Sequence, residues 1–471
     1  MSSQSADSVQ DAEPKAEAAK KGLWSGRQIF VMVMLMLIML SNYLDRLIMT
    51  IVQEPIKDEM GLTDLQLGLL TGPAFGILYG LSAIPIARLA DRYDRINILA
   101  VSLTVWSAFT ALCAAVGSYA QLFVARMGVG VAEGGGAPSI YSLIADYFAP
   151  RQRGFATAVL GMATPLAGFV APLVGAYVAT EFGWRWAFVA VGVPGVLIAI
   201  VFRLTVRDPR KTGESNDNTA AAGDTPKPSK FLEDMKWLFT SKPFVLIFMS
   251  TMTSSLVMTS TLLFTASFLL RKFGMTLQEA GIVLSLGLGL GGIFGALLGG
   301  FVADRFSGEH GQSYMFVPAV GAAGAGIFFF TAYSVSSWAL AAAFVIAASV
   351  FQAMKNGPNF AAIQTLVPPH MRATASAVML LAVTMIGSSV GPPLVGVLSD
   401  WAAGGAFDAT LGTYSDVCSG PAAQLSAALQ GPCAAASSKG LETALRIITV
   451  LYIVPVVFYY LASKHLRLVM D

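Results

Sequence analysis

The chain alternates long apolar runs with short polar breaks, and the runs are longer than the helices of a soluble core. A bilayer core about 30 Å thick is crossed by roughly 20 apolar residues in helical form. Twelve stretches reach that length, near 28–53, 64–87, 96–117, 119–146, 153–179 and 186–206, then near 243–271, 277–303, 314–335, 337–366, 371–399 and 441–463. They are numbered spans 1 to 12. The pattern predicts an all-α, polytopic membrane protein with six spans in residues 28–206 and six in 243–463. Residues 1–27 are polar and alanine-rich, with no apolar core or cleavage site, and read as a disordered tail rather than a signal peptide. Residues 207–242 are a polar linker with Gly and Pro, 400–440 a long loop, and 464–471 a short tail.

Lys and Arg placement orients these spans, because cytoplasmic loops are enriched in both. One side collects Lys15, Lys20, Lys21, Arg27, Arg88, Arg92, Arg95, Arg151, Arg153 and the basic residues of the linker, from Arg207 to Lys242. The other has little beyond Lys57, Arg185, Arg271, Lys272 and Lys439. Both termini and the linker are therefore expected in the cytoplasm. The composition has a bacterial look, so the membrane is expected to be the bacterial inner membrane.

Composition narrows the function classes. The chain is 55% hydrophobic and 12% charged, against about 25% charged in soluble domains, which rules out an ordinary soluble enzyme. A formal net charge of +2 gives no basic footprint for nucleic acid. No GxxxxGK[ST] phosphate loop is present, so ATP is not the expected energy source. No HExxH or paired-Cys metal site and no nucleophile–base set occurs, so no cofactor, no metal and no enzymatic activity are expected. His310, His370 and His465 lie far apart in sequence. Cys418 and Cys433 share the 400–440 loop; an oxidising outer compartment favours a disulfide between them, the alternative being two free thiols. Cys113, inside span 3, reads as packing.

The halves repeat. LADR (Leu89–Arg92) returns as VADR (Val302–Arg305), RGFATAV (Arg153–Val159) as RATASAV (Arg372–Val378), and PLVG at Pro172 returns at Pro393, all at offsets near 215 residues. With Arg153 before span 5 answered by Arg372 before span 11, these matches in one order point to an internal duplication. Two parallel six-helix bundles related by an axis along the membrane normal form a known transporter plan, with the binding site between them at mid-depth.

The motifs carry a family resemblance. IARLADRYDR (Ile86–Arg95) resembles the GxLaDrxGrr signature of the major facilitator superfamily, with Ala87 and Asp94 in place of glycines. RMGVGVAEGGG (Arg126–Gly136) is similar to its RxxxGxxxG element, and GMATPLAGFVAPLVG (Gly161–Gly175) to its fifth-helix motif. Within the superfamily, NYLDR (Asn42–Arg46) and VGVAEGGGAPSIYSLIADYF (Val129–Phe148) resemble the Spinster branch. The resemblance implies a monomeric secondary transporter of amphiphilic lipids such as lysophospholipids or sphingosine-1-phosphate, with protons as driving ions. Small organic-anion porters share parts of the span-4 pattern, so a small anion is the rival substrate. By the same resemblance Asp91 should sit near the start of span 11, where a helix dipole favours an anion. Arg92 and Arg95 fill basic positions and Arg95 can relay to Asp146, latching the cytoplasmic side in the outward-open state. A charge cluster serving only topology is the alternative.

The residues alone point the same way. Asp45 and Arg46 lie inside span 1, Arg126 and Glu133 inside span 4. Charge at mid-bilayer costs about 2.5–3.5 kcal/mol per residue on insertion scales, so such groups face protein or water and mark pathways. Arg126 and Glu133 are two helical turns apart on one face; Asp45 and Arg46, adjacent, diverge by roughly 100°. Burial favours a neutral carboxylic acid and an adjacent guanidinium favours the carboxylate, so moving one relative to the other switches the acid, a proton-and-substrate relay. The alternative is a static ion pair joining spans 1 and 4. In the second half an offset of 219 puts Gln352 opposite Glu133, and an amide cannot titrate. Span 10 still offers Gln352, Lys355, Asn356 and Asn359; Lys355 either meets an anionic headgroup or snorkels. The span-7 hydroxyls either line the cavity or bond their own helix. Gly291, Gly295 and Gly299 form a close-packing face of span 8, expected against span 5.

Overall fold

The computed structural model describes residues 24–212, 231–306, 313–368, 371–418, 420–421 and 424–470. Among the described residues the regular structure is helical throughout. Eleven stretches are long and apolar enough to cross a membrane: Gly26–Met60, Asp64–Ala90, Arg95–Ala115, Pro150–Phe182, Trp184–Thr205, Lys242–Phe273, Leu277–Arg305, Tyr314–Ser334, Trp338–Leu366, Thr374–Ala406 and Ala427–His465. These are spans 1–3 and 5–12. Span 4 is two helices, Tyr119–Glu133 and Gly136–Tyr147, and its charges and glycine run lower its apolarity below that measure.

The turns between spans are built from residues that stop and start helices. Gly61 closes span 1 at φ +65°, in the left-handed region glycine enters without a Cβ penalty. Thr63 then caps span 2, its hydroxyl accepting from the Gln66 amide while the Gln66 side chain accepts from the Thr63 amide. Asp94 caps span 3 by accepting from Ile96 and Asn97.

Helix also runs beyond the apolar stretches. Span 11 continues to Ala406, and span 12 begins at Ala427 through the alanine-rich AALQGPCAAASSKG, so the expected 400–440 loop contracts to the segment between them. Alanine favours helix without adding much hydropathy, which is why the apolar pattern placed both boundaries inside the helices. The expected linker carries helix at Pro209–Thr212 and Phe231–Thr240, and the expected closing tail is helical to Met470. Residues 1–23 and 213–230, with His310 and His370, lie outside the described residues.

The six-helix halves pack against each other mainly toward the end remote from the termini, hereafter the far side. Span 2 lies along span 11: a Cβ on Gly68 would meet the Pro392 carbonyl oxygen at 2.5 Å, and one on Gly396 would meet Leu65 Cα at 2.5 Å, so the two backbones touch. Span 5 lies along span 8, where a Cβ on Gly289 would meet Phe169 Cβ at 2.5 Å and one on Gly168 would meet Leu288 at 3.0 Å. Each of these second-half helices carries a π-helical turn at the seam, Leu286–Gly291 in span 8 and Val383–Ser388 in span 11. Toward the termini the packing is chiefly within each half: Pro150–Gly161 packs mainly on first-half helices and Arg372–Ala382 mainly on second-half helices, with Leu381 also approaching Gly80 of span 2.

Candidate functional site

Adjacent residues of span 1 serve two ion pairs. Asp45 is buried; it accepts a hydrogen bond from Thr110 Oγ1 at 2.5 Å and faces Arg126 Nη1 at 3.5 Å. Arg46, turned away from it, sets both Nε and Nη2 at 2.9 Å from Glu133 Oε2. The Arg46 guanidinium lies 4.5 Å from the centroid of the Tyr79 ring and 4.8 Å from that of Phe75, with Tyr43 at 6.0 Å. Gly130, one turn from both charges of span 4, lets the Phe75 backbone approach so closely that a Cβ would meet its carbonyl oxygen at 2.5 Å. Phe75 thereby lies beside both guanidinium groups, 5.6 Å from Arg126.

The Arg46–Glu133 pair is asymmetric. The Arg46 side chain is 26% exposed and that of Glu133 0%. Glu133 Oε1 is buried with no hydrogen-bond partner, and so is Arg126 Nε. One carboxylate oxygen is thus held by a partly exposed base, while the other has no hydrogen-bond partner. A buried carboxyl that gains a proton loses its hold on the arginine, and one that loses the proton regains it. All four sequence-predicted charges of spans 1 and 4 therefore converge on one site.

The second half contributes a neutral network around one cation. Lys355 is buried, donating to Ser254 Oγ and, at 3.0 Å, to Gln352 Oε1, with the Tyr452 ring centroid at 5.9 Å. It does not snorkel. Asn359 is buried and donates to Thr251 Oγ1 at 2.9 Å, whereas Asn356 is exposed. The span-7 hydroxyls mostly bond back to their own helix, as Thr253 and Thr261 do, but Ser255 and Thr259 also reach the Val383 and Gly387 carbonyls of the span-11 π turn.

The far side holds a charged clamp that the sequence reading missed. Arg271 of span 7 donates two hydrogen bonds to Glu54 of span 1, at 2.6 and 2.9 Å, and two to Asp64 of span 2, both at 2.7 Å. Lys57 adds an ion pair to Asp64 at 2.5 Å, and Ser399 of span 11 donates to Asp64 at 2.6 Å. Asp400 accepts from the Asp64 and Leu65 amides at 3.1 and 2.9 Å, bridging the halves again. Below it Gln53 donates to the Leu263 carbonyl and Ser267 hydroxyl of span 7. These charges sit at span ends, where boundary charges are ordinary, and nothing in their spacing marks them as partners.

The family model described as Major Facilitator Superfamily matches residues 31–392. The chain belongs to the major facilitator superfamily. It is 33% identical over 76% of its length to an MFS-type efflux pump of Mycolicibacterium smegmatis, covering 81% of that protein. It is 26% identical over 84% of its length to protein spinster homolog 1 of Xenopus laevis, covering 78% of it. Its structure is similar, with a TM-score of 0.80 and 27% identity, to a crystal structure of a bacterial homologue of the human lysosomal transporter Spinster in an inward-facing, unoccupied conformation, covering 95% of this chain and 99% of that one. It is thus a Spinster-like superfamily transporter rather than an enzyme.

The loop after span 2 is tied to the first-half helices around it. Arg95 forms an ion pair with Asp146 and a hydrogen bond to Ser142, both on span 4, with Asp208 at 3.7 Å. Arg210, just after span 6, donates to the Ala90 and Tyr93 carbonyls at 3.2 and 3.4 Å. Arg92 and Arg372 are exposed. The side chain of Asp91 lies outside the described residues. On the far side the structure joins Cys418 to Cys433, with Cα atoms 5.6 Å apart, and the loop residue Gly420 sits against Gly61. Cys113 is free and buried.

Proposed function

We propose that the protein is a proton-coupled secondary carrier that moves an amphiphilic lipid, of the lysophospholipid or sphingoid-phosphate class, by alternating access. It works as a monomer in the bacterial inner membrane, with both termini in the cytoplasm. The observation that carries this reading is the Arg46–Glu133 pair, in which a partly exposed guanidinium is held by a sealed carboxylate with one oxygen unspent.

A proton arriving at Glu133 weakens the pair and frees Arg46 for an acidic headgroup. Departure of that headgroup returns Arg46 to Glu133 and expels the proton. The Asp45–Arg126 pair anchors span 1 to span 4 while this occurs. Tyr43, Phe75 and Tyr79 supply an apolar, cation-binding wall beside Arg46. With the far side taken as the periplasmic face, the Glu54–Arg271–Asp64 clamp is the outer gate, closed in this conformation. Similarity to the inward-facing Spinster homologue supports that assignment. Asp91, Arg92, Arg95 and Asp146 then belong to the cytoplasmic gate.

The test is transport in proteoliposomes. Lysolipids and small organic anions are offered with and without an inward-directed proton gradient. The reading predicts lysolipid movement that the gradient accelerates. Movement confined to small carboxylates would replace the lipid by an organic anion, the second reading, which Arg46 serves equally well. No movement of either class would overturn carriage.

A further inference from the structure

Lys355 is a buried amine with no carboxylate beside it among the described residues. Among the described residues its partners are Ser254 Oγ, Gln352 Oε1 and the face of Tyr452. Among the described residues the second half's acids are committed elsewhere: Glu442 to Lys272, Lys439 and Arg446, Asp304 to Tyr314, Glu279 to the start of its own helix, Asp400 to span 2, and Asp408 and Asp416 to threonines of their own loop. The first-half pairs match two acids with two bases, so Lys355 is the charge left over.

The hydrogen-bond inventory says what is missing. An ammonium has three donors, and two are used. The Gln352 carbonyl oxygen accepts from Lys355 and, at 2.9 Å, from the Tyr452 hydroxyl, while the Gln352 amide nitrogen is buried with no acceptor. What remains around Lys355 is donors only, on a positive charge, in a place where an unanswered charge or amide is costly. An anion would accept from both the amine and the amide and would hold the amine in its charged form, which a water would not do.

We infer that Lys355 and Gln352 form an anion-binding subsite in the second bundle, which takes an acidic oxygen group, carboxylate or phosphate, of a ligand entering between the halves. The inference rests on the reading of the protein as a carrier of an acidic molecule, and it deepens that reading by giving the second half its own contact. Ser254 and Tyr452 position the ammonium and the amide; Lys355 supplies the charge and Gln352 the directional donors.

Equilibrium binding tests it without a proton gradient. Full-length protein in nanodiscs is titrated at one pH and one ionic strength with oleoyl lysophosphatidic acid, glucuronate and inorganic phosphate, and with monooleoylglycerol as a neutral lipid. At least one acidic ligand is expected to saturate the parent. Lys355→Met should weaken that ligand tenfold or more, Lys355→Arg less than threefold, and Gln352→Leu by an intermediate factor, with monooleoylglycerol unaffected. The acidic ligand that responds distinguishes a lipid headgroup from a free small anion. Should Lys355→Met not fold, Gln352→Leu and the ligand-dependent rise of the parent's thermal midpoint carry the test. Acidic ligands bound equally by parent and variants, or none that saturates the parent, would overturn the subsite. Proton coupling is read separately, from gradient-driven uptake by the parent in proteoliposomes, so that its failure and failure of the subsite are distinguishable.

Discussion

At the scale of single residues, the site depends on which way two neighbours point. Asp45 and Arg46 are visible in the sequence because charge interrupts an apolar run, and Arg126 and Glu133 for the same reason. Their pairing is not visible, since it depends on the rotation of span 1 against span 4, which 100° per residue permits in either sense. The structure gives Arg46 to Glu133 and Asp45 to Arg126. The second pair is sealed, so removing one member strands the other. Asp45→Ala is expected to cost about 3–5 kcal/mol of stability, as breaking a buried ion pair does. Asp45→Ala with Arg126→Met should recover much of it, read by thermal denaturation in detergent. The clamp residues Glu54, Asp64 and Arg271 escaped the sequence reading for the opposite reason: charges at the ends of spans are common, and only the fold brings residues 207 and 217 positions apart together.

At the scale of elements, the helices that meet across the halves are built for close approach. Gly68 and Gly396 put backbone against backbone where span 2 crosses span 11. The glycine repeat of span 8 reads as a packing face from sequence, but its partner does not. Gly289 and the Gly168–Leu288 contact face span 5, whereas Gly295 and Gly299 approach the Val350 and Met354 carbonyls of span 10. The π turns were not legible, because a wider helical turn leaves no hydrophobic period to read. Their position at both seams is where a functional adjustment is commonly found. Gly396→Val should force span 11 from span 2 and depopulate the far-side-closed form. Nitroxide labels at Thr63 and Thr413 would report this as a longer distance by pulsed electron resonance. The Cys418–Cys433 link closes a separation of 15 residues, for which chain entropy suggests about 3 kcal/mol. Cys433→Ser is therefore expected to lower the thermal midpoint by several degrees, with fold and transport retained.

At the scale of the whole molecule, the duplication and the twelve-span count follow from hydropathy and repeated motifs, and the structure is that of a superfamily member. The state of the carrier was not legible, since one sequence serves every state. Here the halves are joined on the far side by Arg271, Asp64 and Asp400. Arg271→Ala removes four hydrogen bonds to Glu54 and Asp64 and is expected to raise the far-side-open population, lengthening the Thr63–Thr413 label distance. An unchanged distribution would show that backbone packing alone holds the gate. The proton relay is the claim on which the rest turns. In proteoliposomes loaded with a pH-sensitive dye, addition of a transported lysolipid should move protons in the parent, whereas Glu133→Gln should bind the lipid without moving protons and with no response to an imposed gradient. Proton movement of parental size in Glu133→Gln would contradict the account.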